Sequence, residues 1–226
     1  MLGLLSNPIS LIISFAALVV AITIHEFSHA WMADHLGDPT PRLQGRLTLN
    51  PLAHLDPIGT LMILLVRFGW GKPVQFDPFN LQNPRRDAAL ISIAGPISNI
   101  VCAIVASVLL HIIVPFQVPV FGHTAVPLAF GVSFFINFLQ LLILINVILA
   151  VFNLIPIHPL DGFKIVGGFL SQEQAKEWYS LERYGIWFLL LLLLPIFGNE
   201  PPISRILSPA LNFFLQFLLP QSAQFI

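Results

Sequence analysis

The stretch His25-Glu26-Phe27-Ser28-His29 is the part of the chain best equipped for chemistry. Side chains four residues apart on a helix share one face. His25 and His29 therefore offer two imidazoles to one metal ion, with the Glu26 carboxylate beside them. Zinc lowers the pKa of a bound water to about 7, and Glu26 is the group placed to take that proton. The pattern has only three fixed positions, so chance must be weighed. Its surroundings weigh against chance: the motif closes a long apolar stretch, and ionisable side chains there are costly without partners.

Two imidazoles leave the ion short of protein ligands, because a catalytic zinc commonly has three plus an open position. The candidate third ligand is Asp161, in the stretch NLIPIHPLDG at 153–162. Pro156 and Pro159 must break any regular helix there. Irregular backbone at membrane depth is tolerated only when buried in protein or lining a wet cavity. The competing reading of Asp161-Gly162 is an ordinary turn. Two imidazoles and a carboxylate suit Zn2+, one ion per chain.

The elements that must position these groups are membrane spans. Of 226 residues, 56% are hydrophobic and only 9% are charged, against about 25% in soluble domains. So little charge cannot cover a water-facing surface, and the expected class is an all-α polytopic membrane protein. A net charge of −1 leaves no basic surface for nucleic acid. One cysteine, Cys102, excludes an internal disulfide and a cysteine-only zinc site. Long apolar stretches are expected at Ile9–Ala33, Ala88–Val114 and Ala125–Phe152. The first is not read as a cleaved leader, since no positive side chain precedes it.

Ile58–Phe68 is too short to cross and is expected to re-enter or be buried. Gly185–Gly198 is intensely apolar but short, and Ile203–Leu219 carries a helical apolar stripe suited to packing or an interface. The count of membrane segments is thus four to six. RLQGRLTL near 42–50 and KPVQFDP near 72–77 alternate apolar and polar residues, which predicts a small membrane-associated β element. Residues 1–226 form one domain, with a core at 9–168 and C-terminal helices within 185–219. Arg42, Arg46, Arg67, Lys72, Arg85, Arg86, Lys164, Lys176 and Arg183 flank the same ends of the long spans, whereas 115–126 has no Lys or Arg, and Arg205 is the one basic residue this scheme does not place. The positive-inside rule then puts the candidate site near the cytoplasmic face of the cell membrane.

HEFSH within a span, AGPISN at 94–99 and NLIPIHPLDG at 153–162 together resemble the site-2 protease family of intramembrane zinc metalloproteases. RLTLNPLAHLDPIGT and KPVQFDPFNLQNPRRD resemble its short bacterial branch, which lacks a PDZ domain. The longest polar interval here, 34–57, is too short for one. The resemblance implies that His25, His29 and Asp161 are zinc ligands and that Glu26 is catalytic. It implies that Asn153 holds the substrate or the developing oxyanion, where a donor contributes most. It gives Gly95, Pro96 and Asn99 a structural role, Gly95 in close packing and Asn99 in a bond across helices. The β element would pair with an unwound substrate. The implied activity is cleavage of membrane proteins in or near their transmembrane segments, inside the bilayer. Oligomeric state is left open.

Competing functions are a divalent-metal transporter, an inactive relative that binds membrane proteins without cutting, and a membrane-anchored protease with Glu173 or Glu177 as third ligand. A transporter needs polar groups along the whole depth, but here they cluster toward one end. The intact Glu26 opposes an inactive relative. His54 is either a partner of the site or a structural hydrogen-bonder in a turn. His158 either approaches the metal or packs the chain. Asp34 either orients a ligand histidine or ends a solvated helix. Asn146 either bonds between helices or lines the same cavity as Asn153.

Overall fold

The computed structural model describes residues 8–66, 69–114, 130–195, 198 and 200–220. Helix α1 (Pro8–His35) is followed by one turn, α2 (Thr40–Leu43), and by α3 (Pro57–Val66). The long α4 (Pro84–Ile113) and α5 (Phe130–Asn153) come next. Four shorter helices complete the described fold: α6 (Asp161–Phe169), α7 (Gln172–Ser180), α8 (Gly185–Leu193) and α9 (Ser204–Leu218). Among the described residues, three helices are long and apolar enough to cross a membrane: α1, α4 and α5, with mean hydropathies of 2.2, 2.2 and 2.5 over their most apolar windows. This is a polytopic helical membrane protein. At 1.5 Å per residue, α3, α8 and α9 fall short of a bilayer core of about 30 Å. The uncharged 115–126 segment lies outside the described residues.

Helix α4 is the axle of the bundle, packing against α1, α5 and α6. Its neighbours run antiparallel to it. Asn99 Nδ2 reaches the carbonyl of Ala21, His29 reaches the carbonyl of Ile91, and Asn99 also meets Asn146. Small side chains permit this closeness. Ala17 on α1 and Ala103 and Ala106 on α4 are buried against Leu139, Leu142, Ile143 and Val147 of α5. The apolar stripe of α9 packs on the same cluster through Leu211, Phe214, Leu215 and Leu218. Because the three long helices alternate in direction, the end of α1, the start of α4 and the end of α5 meet at one level.

The β element does not form. Among the described residues there is no strand, only one antiparallel bridge between Leu55 and Gly71. Pro39 and Pro41 favour a helical turn over 40–43, and Asp38 Oδ1 takes both the amide and the hydroxyl of Thr40, at 3.0 and 2.6 Å. Arg46, which alternation would place along a strand, instead turns inward and donates to the carbonyls of Ala53 and Lys72. Residues 72–77 send backbone donors elsewhere: Lys72 to the His54 carbonyl, Val74 to Glu26 and Asp77 to Asp38. Alternation of residue types does not specify a partner, and here side chains took that place.

Candidate metal centre

Helix α1 presents His25 and His29 one turn apart, both buried. Each ring is held by its Nδ1. His29 Nδ1 lies 2.7 Å from the Ile91 carbonyl oxygen, which can only accept, so Nδ1 carries the hydrogen. His25 Nδ1 lies 2.6 Å from Asn99 Oδ1. With Nδ1 donating, each Nε2 of a neutral ring keeps a free lone pair. The two Nε2 atoms face each other at 3.0 Å.

Asp161 completes the cluster. Its Oδ2 lies 3.3 Å from Nε2 of both His25 and His29. It is placed there by the end of α5 at Asn153, the turn through Pro156 and Pro159, and the start of α6 at Asp161 itself. A side chain at Gly162 would meet the backbone of that turn, its Cβ falling 2.5 Å from the Ile155 carbonyl oxygen. Glycine therefore lets α6 begin against the turn. Asp161 Oδ2 is buried without a hydrogen-bond partner.

The donor set fits a cation. With both rings neutral, three electron-pair donors converge with no hydrogen among them, an arrangement that is repulsive until a metal ion or a proton fills it. Tetrahedral bonds of about 2.0–2.1 Å put ligand atoms roughly 3.3 Å apart, close to the spacings of this cluster. Among the described residues this is the group of three His, Cys, Asp or Glu side chains able to hold a metal ion.

Glu26 sits on the same helix, and its partners are from the loops. Val74 N–H donates to Glu26 Oε2 at 3.0 Å, and Arg46 Nη2 lies 3.8 Å from the same oxygen. Arg46 is buried, and that burial pushes its guanidinium pKa down, with Glu26 opposing. Sequence reasoning missed Arg46 at this site. No local pattern separates it from Arg42, yet the Arg42 side chain is 65% exposed and that of Arg46 only 4%. Only the fold makes that distinction.

The remaining candidates divide clearly. Asn99 bonds across helices, as its motif implied, and one of those bonds is to His25. Asn146 is fully buried on its far side. Asn153, the last residue of α5, donates from Nδ2 to the Leu149 carbonyl at 3.0 Å, within its own helix. His54 is structural: Nε2 bonds the Thr48 carbonyl at 2.7 Å, and burial, aided by Arg46, lowers its pKa. His158 lies beside Phe163 and Glu182. Asp34 pairs with Arg42 at 2.5 Å, which accounts for it without a ligand histidine. Glu173 and Glu177 are exposed on α7 and outside the cluster.

Comparison with known proteins decides the family. Residues 129–194 match Peptidase family M50. A Bacillus subtilis (strain 168) protein named "Putative zinc metalloprotease YwhC" is 38% identical over 86% of this chain and 84% of its own length. The chain belongs to peptidase family M50. A Mycolicibacterium smegmatis relative, "Putative zinc metalloprotease Rip2", is 28% identical over 91% of this chain and 74% of its own length. "Zinc metalloprotease MJ0392" of Methanocaldococcus jannaschii is 25% identical over 87% of this chain and 46% of its own. No solved structure matches the chain. Membership in M50 makes the chain a peptidase of the hydrolase class, and the comparisons give no support to a transporter or to a non-cutting relative.

Proposed function

We propose that this M50 member is an intramembrane zinc endopeptidase in which His25, His29 and Asp161 hold one Zn2+, Glu26 moves the proton and Asn153 assists. The observation that carries the reading is the convergence of His25 Nε2, His29 Nε2 and Asp161 Oδ2 within 3.0–3.3 Å, from segments more than 130 residues apart in the chain. When bound, Zn2+ supplies Lewis acidity toward a water and a scissile carbonyl. The chain's residues do the rest. His25 and His29 present bare Nε2 lone pairs because their Nδ1 atoms are engaged. Glu26, steadied by the Val74 amide, accepts the proton of the attacking water and returns it to the leaving amine. Asn153, at the end of α5, steadies charge on the carbonyl oxygen after its amide leaves the Leu149 carbonyl.

Substrates of this site are membrane proteins with a transmembrane segment. Three long apolar helices support a site reached from lipid. A helical substrate hides its peptide bonds, so it must open locally before water attacks. The Lys and Arg distribution supports a site near the cytoplasmic face.

The test pairs zinc content with cleavage of a synthetic membrane-spanning peptide. Glu26→Gln should retain zinc and lose cleavage by about 10²–10⁴-fold. Asp161→Ala should lose zinc affinity as well. Wild-type cleavage by Glu26→Gln would discard the mechanism.

A further inference from the structure

The His25 ring is the end of a hydrogen-bond chain that crosses three helices. It begins on α5. Asn146 Nδ2 donates to the Leu142 carbonyl oxygen at 2.8 Å. A carbonyl only accepts, so this bond fixes which end of the Asn146 amide is NH2 and leaves Oδ1 as the acceptor facing α4. Asn99 Nδ2 fills that acceptor at 2.7 Å and also reaches the Ala21 carbonyl at 3.3 Å. Both Asn99 Nδ2 contacts are acceptors, so Asn99 is fixed in turn, with Oδ1 aimed at α1. His25 Nδ1 meets that Oδ1 at 2.6 Å and must be the donor. Its Nε2 is then bare and points at His29 and Asp161.

Each link has one workable direction, and both asparagines are 0% exposed, so water cannot substitute for a missing partner. His29 needs no such chain because its Nδ1 takes a backbone carbonyl, which cannot flip. The two ligands are thus oriented by different means, and only His25 depends on a side-chain amide that could turn over. An Asn99 amide rotated by 180° would present NH2 to His25 Nδ1 and move the ring's hydrogen to Nε2, where it blocks a ligand lone pair.

We infer that Asn146 is a positioning residue for the metal centre: through Asn99 it holds His25 in the form with hydrogen on Nδ1, ready to bind the ion. The inference rests on His25 being a ligand, as proposed above, although the tautomer itself does not need the metal. Asn146 touches neither ligand nor substrate. Its effect reaches the site only through the direction of the Asn99 amide. Loss of a partner of this kind typically costs a metal site 10–100-fold in affinity.

The experiment uses the full chain in detergent, with Asn146→Leu, Asn146→Asp and, as a control on the ligand set, Asp161→Asn. Asn146→Leu has similar volume and removes both bonds of the chain, together with the contact to Cys102. Asn146→Asp keeps an oxygen facing Asn99 Nδ2 in either ionisation state. Two quantities are read: Co2+ and Zn2+ affinity from competition with a chelator, and the ¹⁵N shifts of the His25 ring in metal-free protein. The wild type and Asn146→Asp should show one His25 form, protonated on Nδ1, and similar metal affinity. Asn146→Leu should show mixed tautomers and bind both ions about 10–100-fold more weakly. Unchanged tautomer and affinity in Asn146→Leu would overturn the inference. So would equal losses in both Asn146 variants accompanied by equal falls in thermal midpoint, which would mark Asn146 as packing alone. If Asp161→Asn retains full metal affinity, the ligand reading fails instead, and the ring shifts of the metal-free protein still decide whether the relay exists.

Discussion

Gly95 lies on α4 directly across from the two imidazoles, and adding one methyl group there should dismantle the metal centre. In an unconstrained helix interior, Gly→Ala stabilises by roughly 0.5–1 kcal/mol. The surroundings of Gly95 reverse that sign. A Cβ built on its backbone would stand 2.5 Å from His29 Cε1 and 2.6 Å from His25 Cε1. Carbon atoms in contact prefer about 3.5–4.0 Å, so both rings must retreat by roughly 1 Å. Metal–ligand distances tolerate deviations of only about 0.2 Å. The Nδ1 bonds to Asn99 and Ile91 oppose retreat, so the misfit appears as lost coordination, overpacking strain of about 1–3 kcal/mol, or both. Zinc affinity of Gly95→Ala should fall by at least the 10–100-fold seen when an outer partner of a ligand is lost. The assay is zinc competition with a chelator, run beside cleavage of the spanning peptide and thermal unfolding in detergent. Wild-type zinc affinity with an unchanged unfolding midpoint would refute the reasoning, because it would mean that the rings are not pressed against α4.

Two further outcomes test the loops that brace Glu26. Arg46→Met should destabilise the protein by about 1–3 kcal/mol, because it removes the charged donor of the Ala53 and Lys72 carbonyls; Arg42→Met should leave stability almost unchanged, since its pair with Asp34 is exposed on the arginine side. Denaturant unfolding of the two variants reads the contrast, and equal effects would oppose the buried role of Arg46. Asp38 carries a pH prediction. Burial favours its neutral form, but hydrogen bonds from Thr40, Asn80 and the Asp77 amide outweigh that and hold its pKa below 3.8. A depressed carboxylate stabilises the fold above its unfolded pKa, and that stability is lost as pH falls through the lower folded value. Wild type should therefore exceed Asp38→Asn in stability near neutral pH, with the gap narrowing below about pH 4. A gap that is constant down to strong acid would contradict it.

Several features were legible because their physics is local. HEFSH needs only the pitch of a helix to bring two imidazoles and a carboxylate together. Spans need only a run of apolar residues, and α1, α4 and α5 formed where such runs occur. The Asn153-to-Asp161 stretch announced its break through prolines. The strands near 42–50 and 72–77 were misread because alternation records which side chains are apolar, and says nothing of whether a backbone partner will arrive. In the folded chain Asp38, Glu26 and Arg46 met those segments first.

The residue types that hold and use a metal, and the lengths of the helices that carry them, follow from the sequence alone. The tertiary structure decided the rest: that Asp161 meets His25 and His29, that Arg46 is buried while Arg42 is solvated, and that Asn99 faces His25 with Asn146 behind it. Each of these depends on which helix faces travel together in three antiparallel spans. Rotation of a helix about its axis is set by packing over its whole length, through contacts such as Ala17, Ala103 and Ala106 against α5. No short motif encodes that sum, so the partners of a ligand become visible only when the bundle is assembled.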